Sequence, residues 1–428
     1  MPSTLRFRLY PSNRQEAKML TAIGSCRHLW NEALAQRKER WQKGRKSTSY
    51  NHQQWMLTQE RRANSELAAL HSQVAQDVLR RLDKAFQRFF KHQAGHPRFK
   101  RFTTSGSLTY PQCYNGSVRP DVLRGRLYLS KIGNVKVVFH RMLPKEALLK
   151  TCTVIREPCG EWYASLVYED IMPLQNVIAR HITSPLGVDL GLKSLIVTSD
   201  GVEVPHPRFL RKAEKRLKHL QKTLSRKKKD SKNRVKARRR VASCHAKVAR
   251  QRADLNHKLS ANLVKEHDLI GFEALQIKNM VKSHNLSKSI HDAAWGQLVR
   301  FTEYKAALKG TRLVKVDGSY STQECFHCGT LNRINLGERD FVCSGCGRIL
   351  NRDLNASRIV LKRAIAKVGQ GMPELKPAET WPLLVWTTRR ASEVKDAGTI
   401  GAQKALEVRG NKPTEGCHVE NARGDPDR

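Results

Sequence analysis

Two kinds of side chain in this sequence are spaced for metal chemistry. The first is thiol: Cys325 and Cys328 bound the stretch CFHC, Cys343 and Cys346 the stretch CSGC, with residues 329–342 between them. Each Cys-x-x-Cys can set two thiolates on one ion. Gly329 and Gly347 follow the pairs and allow the tight turn whose amides point back at sulfur. Four thiolates close a tetrahedral Zn²⁺ with no open position, so one structural zinc is expected. Redox pairing is the weaker alternative at this spacing. His327, between two ligands, reads as a bystander.

The second kind is carboxylate. Asp189 lies inside the apolar run SPLGVDLGLKSLIV, where an acid is costly unless something compensates it. Glu273 closes another short apolar run in EHDLIGFEALQI. Asp353 belongs to NRDLNASRIVLKRAI, where Leu354, Ile359, Val360 and Ala364 recur at helical spacing. Taken singly, these are a turn cap, a solvated strand end and an acid at the positive end of a helix. Their order says more. A strand-borne Asp with a Ser-Asp-Gly hairpin, a later strand carrying Glu, and a helix opening on Asp are the parts of an RNase H-like nuclease core. Three carboxylates can hold two Mg²⁺ ions about 4 Å apart, one activating water and the other steadying the leaving oxygen. Asp189, Glu273 and Asp353 are therefore the expected catalytic residues and Mg²⁺ ligands, with Mn²⁺ able to substitute. The cysteine module then reads as an insertion between the strand TRLVKVDGSY and the helix of Asp353. Its exit delivers the third ligand.

Composition fixes the partner class. The 428 residues, enough for two or three domains, carry 79 Lys and Arg against 38 acids, a formal net charge of +41. Such self-repulsion calls for a polyanion, nucleic acid first. No apolar run approaches the roughly 20 residues of a spanning helix, and no lipidation signal stands in the chain, so no membrane partner is expected. The opening MPSTLRFRLYPSNRQ lacks an apolar signal core, so no export is expected, and a cytoplasmic, nucleoid-associated protein is the expectation. Ten cysteines, four of them in the two pairs, fit a reducing compartment.

The elements that must position these groups follow from periodicity. LRFRLY alternates as a strand, and Ser12 after Pro11 can cap a helix. Two basic amphipathic helices follow, one through Met19, Ile23, Cys26, Trp30 and Leu34, the other through Val74, Val78, Leu82, Phe86 and Phe90. The loop after them mixes Arg98, Lys100 and Arg101 with Phe99 and Phe102; cations beside aromatic rings can hold phosphates and stack on bases. An ordinary surface loop with one buried Phe explains it equally well. From Leu108 to Glu169 strand periodicity predicts a small antiparallel barrel or sheet that takes in the first strand. A linker, MPLQNVIARHITSP, leads to the second half. Residues 211–252 hold nineteen Lys or Arg against Glu214 and Asp230. Leu217, Leu220 and Leu224 mark one helix there, Val241 to Leu263 a second, with SRKKKDSKN between. The hairpin offers Arg226, Lys227, Lys228, Lys229, Arg238, Arg239 and Arg240 to a phosphate backbone. Trp295, in SIHDAAWGQL, reads as core packing.

These segments resemble one family. GVDLGLKSLIVTSDG, IGFEAL, SIHDAAWGQL, the paired CFHCG and CSGCG, and NRDLNAS make the chain similar to TnpB (OrfB), RNA-guided nucleases of bacterial insertion sequences related to the type V CRISPR effectors. The similarity runs in outline from LRFRLYP to about residue 370. It implies a multidomain α/β protein: a β-barrel (wedge) from residues 1–11 and 104–180, with a helical recognition domain at 12–103 set into it. A RuvC nuclease then occupies 181–318, including the basic hairpin 208–267, and resumes at 350–370 after a zinc ribbon at 319–349. Residues 371–428 would form a largely disordered tail. It further implies a guide RNA from the element's own end, a target DNA cut beside a short motif, and 5′-phosphate and 3′-hydroxyl products. All three acids and all four cysteines stand at the family's positions. A nuclease-silent RNA-guided regulator and a DDE-type transposase are the rival readings. An actin-like ATPase, suggested by GVDLGLKS, lacks a second Gly-rich phosphate loop and fits +41 poorly.

Overall fold

The computed structural model describes residues 3–101, 105–144, 147–169, 182–334 and 339–369. The tail 371–428, Phe102 and most of the linker lie outside them. The chain forms two compact units, Met1–His181, Arg208–Asp268 and Ile277–Arg312 in the first, and Ile182–Pro207, Leu269–Gln276 and Leu313–Arg428 in the second.

The first unit opens with β1 (Ser3–Tyr10), whose alternation buries Phe7 and Leu9. It pairs antiparallel with β5 (Gly133–Val138) and β7 (Trp162–Glu169), so Leu9 faces Val137 on one side and Trp162 on the other. With β2 (Gly106–Tyr110), β3 (Val118–Asp121), β4 (Arg126–Leu129) and β6 (Leu148–Arg156) the order is β2-β6-β7-β1-β5-β4-β3. The antiparallel sheet is thus seen; no ladder joins its β2 and β3 edges into a closed barrel among the described residues.

Ser12 caps α1 (Asn13–Gly44) in a capping box with Gln15. Then come α2 (Tyr50–Ala63), α3 (Ser65–Ala69) and α4 (Ser72–Phe90). Sequence periodicity marks only the outer two of these four. In α2 only Gln53 and Leu57 are buried, and in α3 only Leu67, too few to leave an apolar stripe. Met19, Leu34, Val74, Val78 and Leu82 share one core with the sheet.

The basic hairpin is α5 (Phe209–Ser225) and α6 (Lys232–Glu266), followed by α7 (Ile277–Met280), α8 (His284–Ala293) and α9 (Trp295–Lys309). No side chain of α5 is buried. Its place is set at its N-terminus, where the buried Asp292 of α8 accepts from the amides of Leu210 (2.9 Å) and Arg211 (3.3 Å). The same carboxylate takes Nε and Nη2 of Arg252 on α6 at 3.2 and 2.8 Å. One acid therefore ties three helices. Trp295 is buried, as its sequence context predicts.

The second unit is a five-stranded sheet, β10-β9-β8-β11-β12, from β8 (Pro185–Asp189), β9 (Ser194–Thr198), β10 (Glu203–Pro205), β11 (Leu269–Glu273) and β12 (Arg312–Val316). β8, β9 and β10 form an antiparallel meander, while β11 lies parallel to β8. A small hairpin, β13 (Asp340–Val342) and β14 (Ile349–Asn351), leads into α10 (Arg352–Lys367). Ile359, Val360, Leu361, Ala364 and Ile365 of α10 are buried; Leu361 and Ile365 pack with Ile182 and Leu269, and Val360 and Ala364 with Val316.

Candidate active site and metal centre

Parallel pairing of β8 with β11 matches Val188 to Phe272 and Gly187 to Gly271. The next residue on each strand is an acid, Asp189 and Glu273, so the two stand side by side at the carboxyl ends of neighbouring parallel strands. That rim is where open α/β sheets place their ligands. The matched glycines explain how a third acid reaches it. A Cβ at Gly187 would overlap the Ser357 carbonyl of α10, and one at Gly271 would stand 2.8 Å from the Ala364 Cβ. The pair leaves a bare strip of sheet on which α10 lies in direct contact, its first turn carrying Asp353.

The motif NRDLN divides the labour at that turn. Asn351 is the N-cap and accepts from the amides of Asp353 (3.2 Å) and Leu354 (3.1 Å). Asp353 presents its carboxylate, met by Arg339 and by Nε of Arg352 at 3.3 Å. Asn355 is buried, takes the Phe326 amide (2.9 Å) and donates to the Glu324 carbonyl (2.6 Å). It thereby straps the first cysteine knuckle to the helix of the third acid.

Burial raises the Asp189 carboxyl to about 7, and the charges of Glu273 and Asp353 push it the same way. Burial also raises Glu273, against a 2.5 Å hydrogen bond donated by Ser321 Oγ. Asp189 thus feels both other acids, although the oxygens of the three do not all lie within 4.8 Å of one another. Oxygen donors alone suit Mg²⁺ or Mn²⁺.

The four cysteine sulfurs do lie within 4.8 Å of one another, with Cys325 to Cys346 at 3.9 Å and Cys328 to Cys343 at 3.4 Å. Zn–S bonds of about 2.3 Å in a tetrahedron put sulfurs roughly 3.8 Å apart. The cluster can bind zinc. Gly329 and Gly347 have φ of 75° and 68°, the left-handed turn their positions require. His327 is paired with Arg348 and stands outside the sulfur cluster.

The basic residues fare differently. Trp30 donates to the Arg98 carbonyl (3.1 Å), and Asn31 exchanges hydrogen bonds with the Lys100 backbone, so the loop is laced to α1. The Lys100 ammonium lies 3.7 Å from the Trp30 ring centre, and burial with nearby Arg81 lowers its pKa to about 8. Phe99 and Arg101 remain exposed. Arg226, Lys227, Lys228, Lys229 and Arg238 are exposed on the hairpin. Arg239 and Arg240 line an α5–α6 cavity of about 910 Å³, and Arg239 Nε donates to the Cys159 carbonyl at 2.7 Å. Sequence reasoning missed Ser321, Arg339, Arg352, the glycine pair and Asn355. Only the Asn351 cap, an Asn directly before a helical run, had a sequence signal.

Residues 179–284 match the OrfB_IS605 family, described as "Probable transposase". Residues 1–46 match its helix-turn-helix domain, and residues 295–360 the Cas12f1-like TNB domain. A Streptomyces pristinaespiralis protein described as "Putative RNA-guided DNA endonuclease" is 35% identical over 84% of this chain and 89% of its own. Escherichia coli K12 "Putative RNA-guided DNA endonuclease InsQ" is 30% identical over 88% of this chain and 96% of its own. The chain belongs to the TnpB (OrfB) family. A Cas12f1 chain, solved with sgRNA and target DNA, shares the fold at a TM-score of 0.51 and 13% identity, over 84% of this chain and 98% of that one. No helix among the described residues is long and apolar enough to cross a membrane.

Proposed function

We propose that this chain is an RNA-guided, Mg²⁺-dependent DNA endonuclease of a transposable element, cutting guide-matched DNA beside a short motif. The observation that carries the reading is the convergence of Asp189, Glu273 and Asp353 at one sheet rim, from two parallel strands and a helix start. On this reading the five-stranded sheet with α10 is an RNase H-like (RuvC) core and the cysteine module its inserted zinc ribbon. The seven-stranded sheet is the wedge, and α1–α4 the recognition lobe. Asp189, Glu273 and Asp353 would hold two Mg²⁺, which when bound supply an activated water and stabilise the leaving oxygen. The protein's own part is placement. The glycine strip fixes the depth of α10, Asn351 its first turn, and Ser321 the Glu273 carboxylate. Exposed cations of the hairpin would hold phosphates without reading sequence, while base pairing to the guide selects the target.

The test is expression with flanking element DNA, sequencing of copurified RNA, and Mg²⁺-dependent cleavage of matching DNA against Asp189→Ala. One discrete RNA with guide-matched cuts lost in the variant is expected. Binding without cuts would instead indicate a regulator, and absence of any specific RNA would revive the transposase reading.

A further inference from the structure

The helical part of the first unit holds a cavity that the nuclease reading does not use. It measures about 640 Å³ and lies between the C-terminal ends of α1 and α4, with Lys38, Trp41, Lys46, Phe86, Phe90 and His96 in its wall. Trp41 is 51% exposed and Phe90 68% exposed. A single exposed ring is ordinary on any protein surface. Two on one cavity, among three cations and with no acid in the lining, are not.

The rings are also held in place. Phe90 packs against Phe86, centroids 6.0 Å apart and planes 29° from parallel, and against Phe89 at 5.4 Å. Phe86 is buried, with Arg37 5.0 Å from its centroid, and Arg37 is itself fixed by Asp83 (3.0 Å) and Gln53 (2.7 Å). Trp41 stands at the end of α1, where Arg45 takes the left-handed cap and approaches the indole at 5.7 Å. Lys38 reaches from the same wall to Phe99 of the neighbouring loop at 4.9 Å. Planar apolar faces beside positive charges match one chemistry well: a flat base carrying a phosphate. A purely apolar peptide would leave the cations unanswered, and an acidic peptide would leave the rings unanswered.

We propose that this cavity takes one unpaired nucleobase of bound nucleic acid, stacked on Trp41 or Phe90, with the adjoining phosphate on Lys38 or Lys46. The inference rests on the chain being a nucleic-acid binder and extends it to a position where pairing is interrupted. The test uses the full chain with a single-stranded RNA carrying 5-iodouridine, and in parallel the same sequence as DNA carrying 5-iodo-deoxyuridine. Each is irradiated and the crosslinked peptides are mapped by mass spectrometry. A crosslink on Trp41 or Phe90 is expected, the RNA arm assigning the cavity to the guide and the DNA arm to the target. Trp41→Ala should weaken binding by about 5- to 160-fold while Trp41→Phe keeps most of it, the range that loss of one stacked base gives. Crosslinks only elsewhere, or a dimer that Trp41→Ala dissociates, overturn the proposal, as does failure to bind either strand. The readout needs no cleavage. Guide-matched cuts without these crosslinks would sink the cavity and leave the nuclease, and the reverse result would do the opposite.

Discussion

Asp189 and Asp292 are both buried aspartates, 8% and 4% exposed, yet their surroundings differ in kind. Asp292 is saturated, with two helix amides and the guanidinium of Arg252 around it. Asp189 has no ion pair with Lys or Arg among the described residues, and its charged neighbours include two more acids. Folding alone explains the first arrangement, because a buried charge with full hydrogen bonding can be held. It does not explain the second, where burial and like charge both disfavour the ionised form. The contrast separates a carboxylate that organises helices from one proposed to do chemistry, and it can be attacked from either side.

The largest expected effect is Asp189→Asn. Guide-directed cleavage should fall by roughly 10³-fold or more, the several kcal/mol a metal supplies, while the thermal midpoint holds or rises. A melting point that falls with activity would make Asp189 structural and collapse the contrast. Next is Asp292→Ala, which strands Arg252 and the start of α5. A loss of about 1–3 kcal/mol is expected in denaturant unfolding, because partly buried donors lose a charged acceptor. An unchanged unfolding curve with lost activity would move Asp292 to the functional side.

Proton linkage gives a smaller signal. Because the Asp189 carboxyl lies near 7 when folded and near 3.9 when unfolded, the folded state binds the extra proton between those values. Its stabilisation is present below about pH 4 and lost as pH rises through about 7. Without Mg²⁺ the protein should lose on the order of a few kcal/mol across that window, and Asp189→Asn should lose less. Equal slopes for the two would refute the buried-acid description. Smallest is Gly271→Ala, about 1–3 kcal/mol from overpacking against Ala364 and Val360. Its cleavage rate should fall further than its stability, since α10 carries Asp353. A stability loss with full activity would show that helix depth is not critical.

Much of this was legible in the residues, and the reasons differ by feature. Periodicity two in LRFRLY and period 3.6 around Trp30 and Val78 mark β1, α1 and α4, because those elements bury one continuous stripe. Cys-x-x-Cys spacing is local, so the sulfur cluster could be read without any fold. The acids required the order of three distant segments, since nothing near Glu273 distinguishes it from a solvated strand end. Helices α2 and α3 stayed hidden because they bury so little. Asp292 stayed hidden too: its partners, Leu210, Arg211 and Arg252, are distant in sequence. The reach of Lys100 onto Trp30 likewise depends on a loop path that composition cannot give.

The bare strip at Gly187 and Gly271 bears on how such elements age. Copies of a mobile element accumulate substitutions, and a check of the three acids alone would miss some of them. A copy carrying Ala at either glycine would pass that check with Asp189, Glu273 and Asp353 intact. Yet the added methyl would meet the Ser357 carbonyl or Ala364 and lift the helix that delivers the last carboxylate. On the proposed reading, silence can be inherited through either glycine as readily as through a lost acid. A census of working copies has to count the glycines as well.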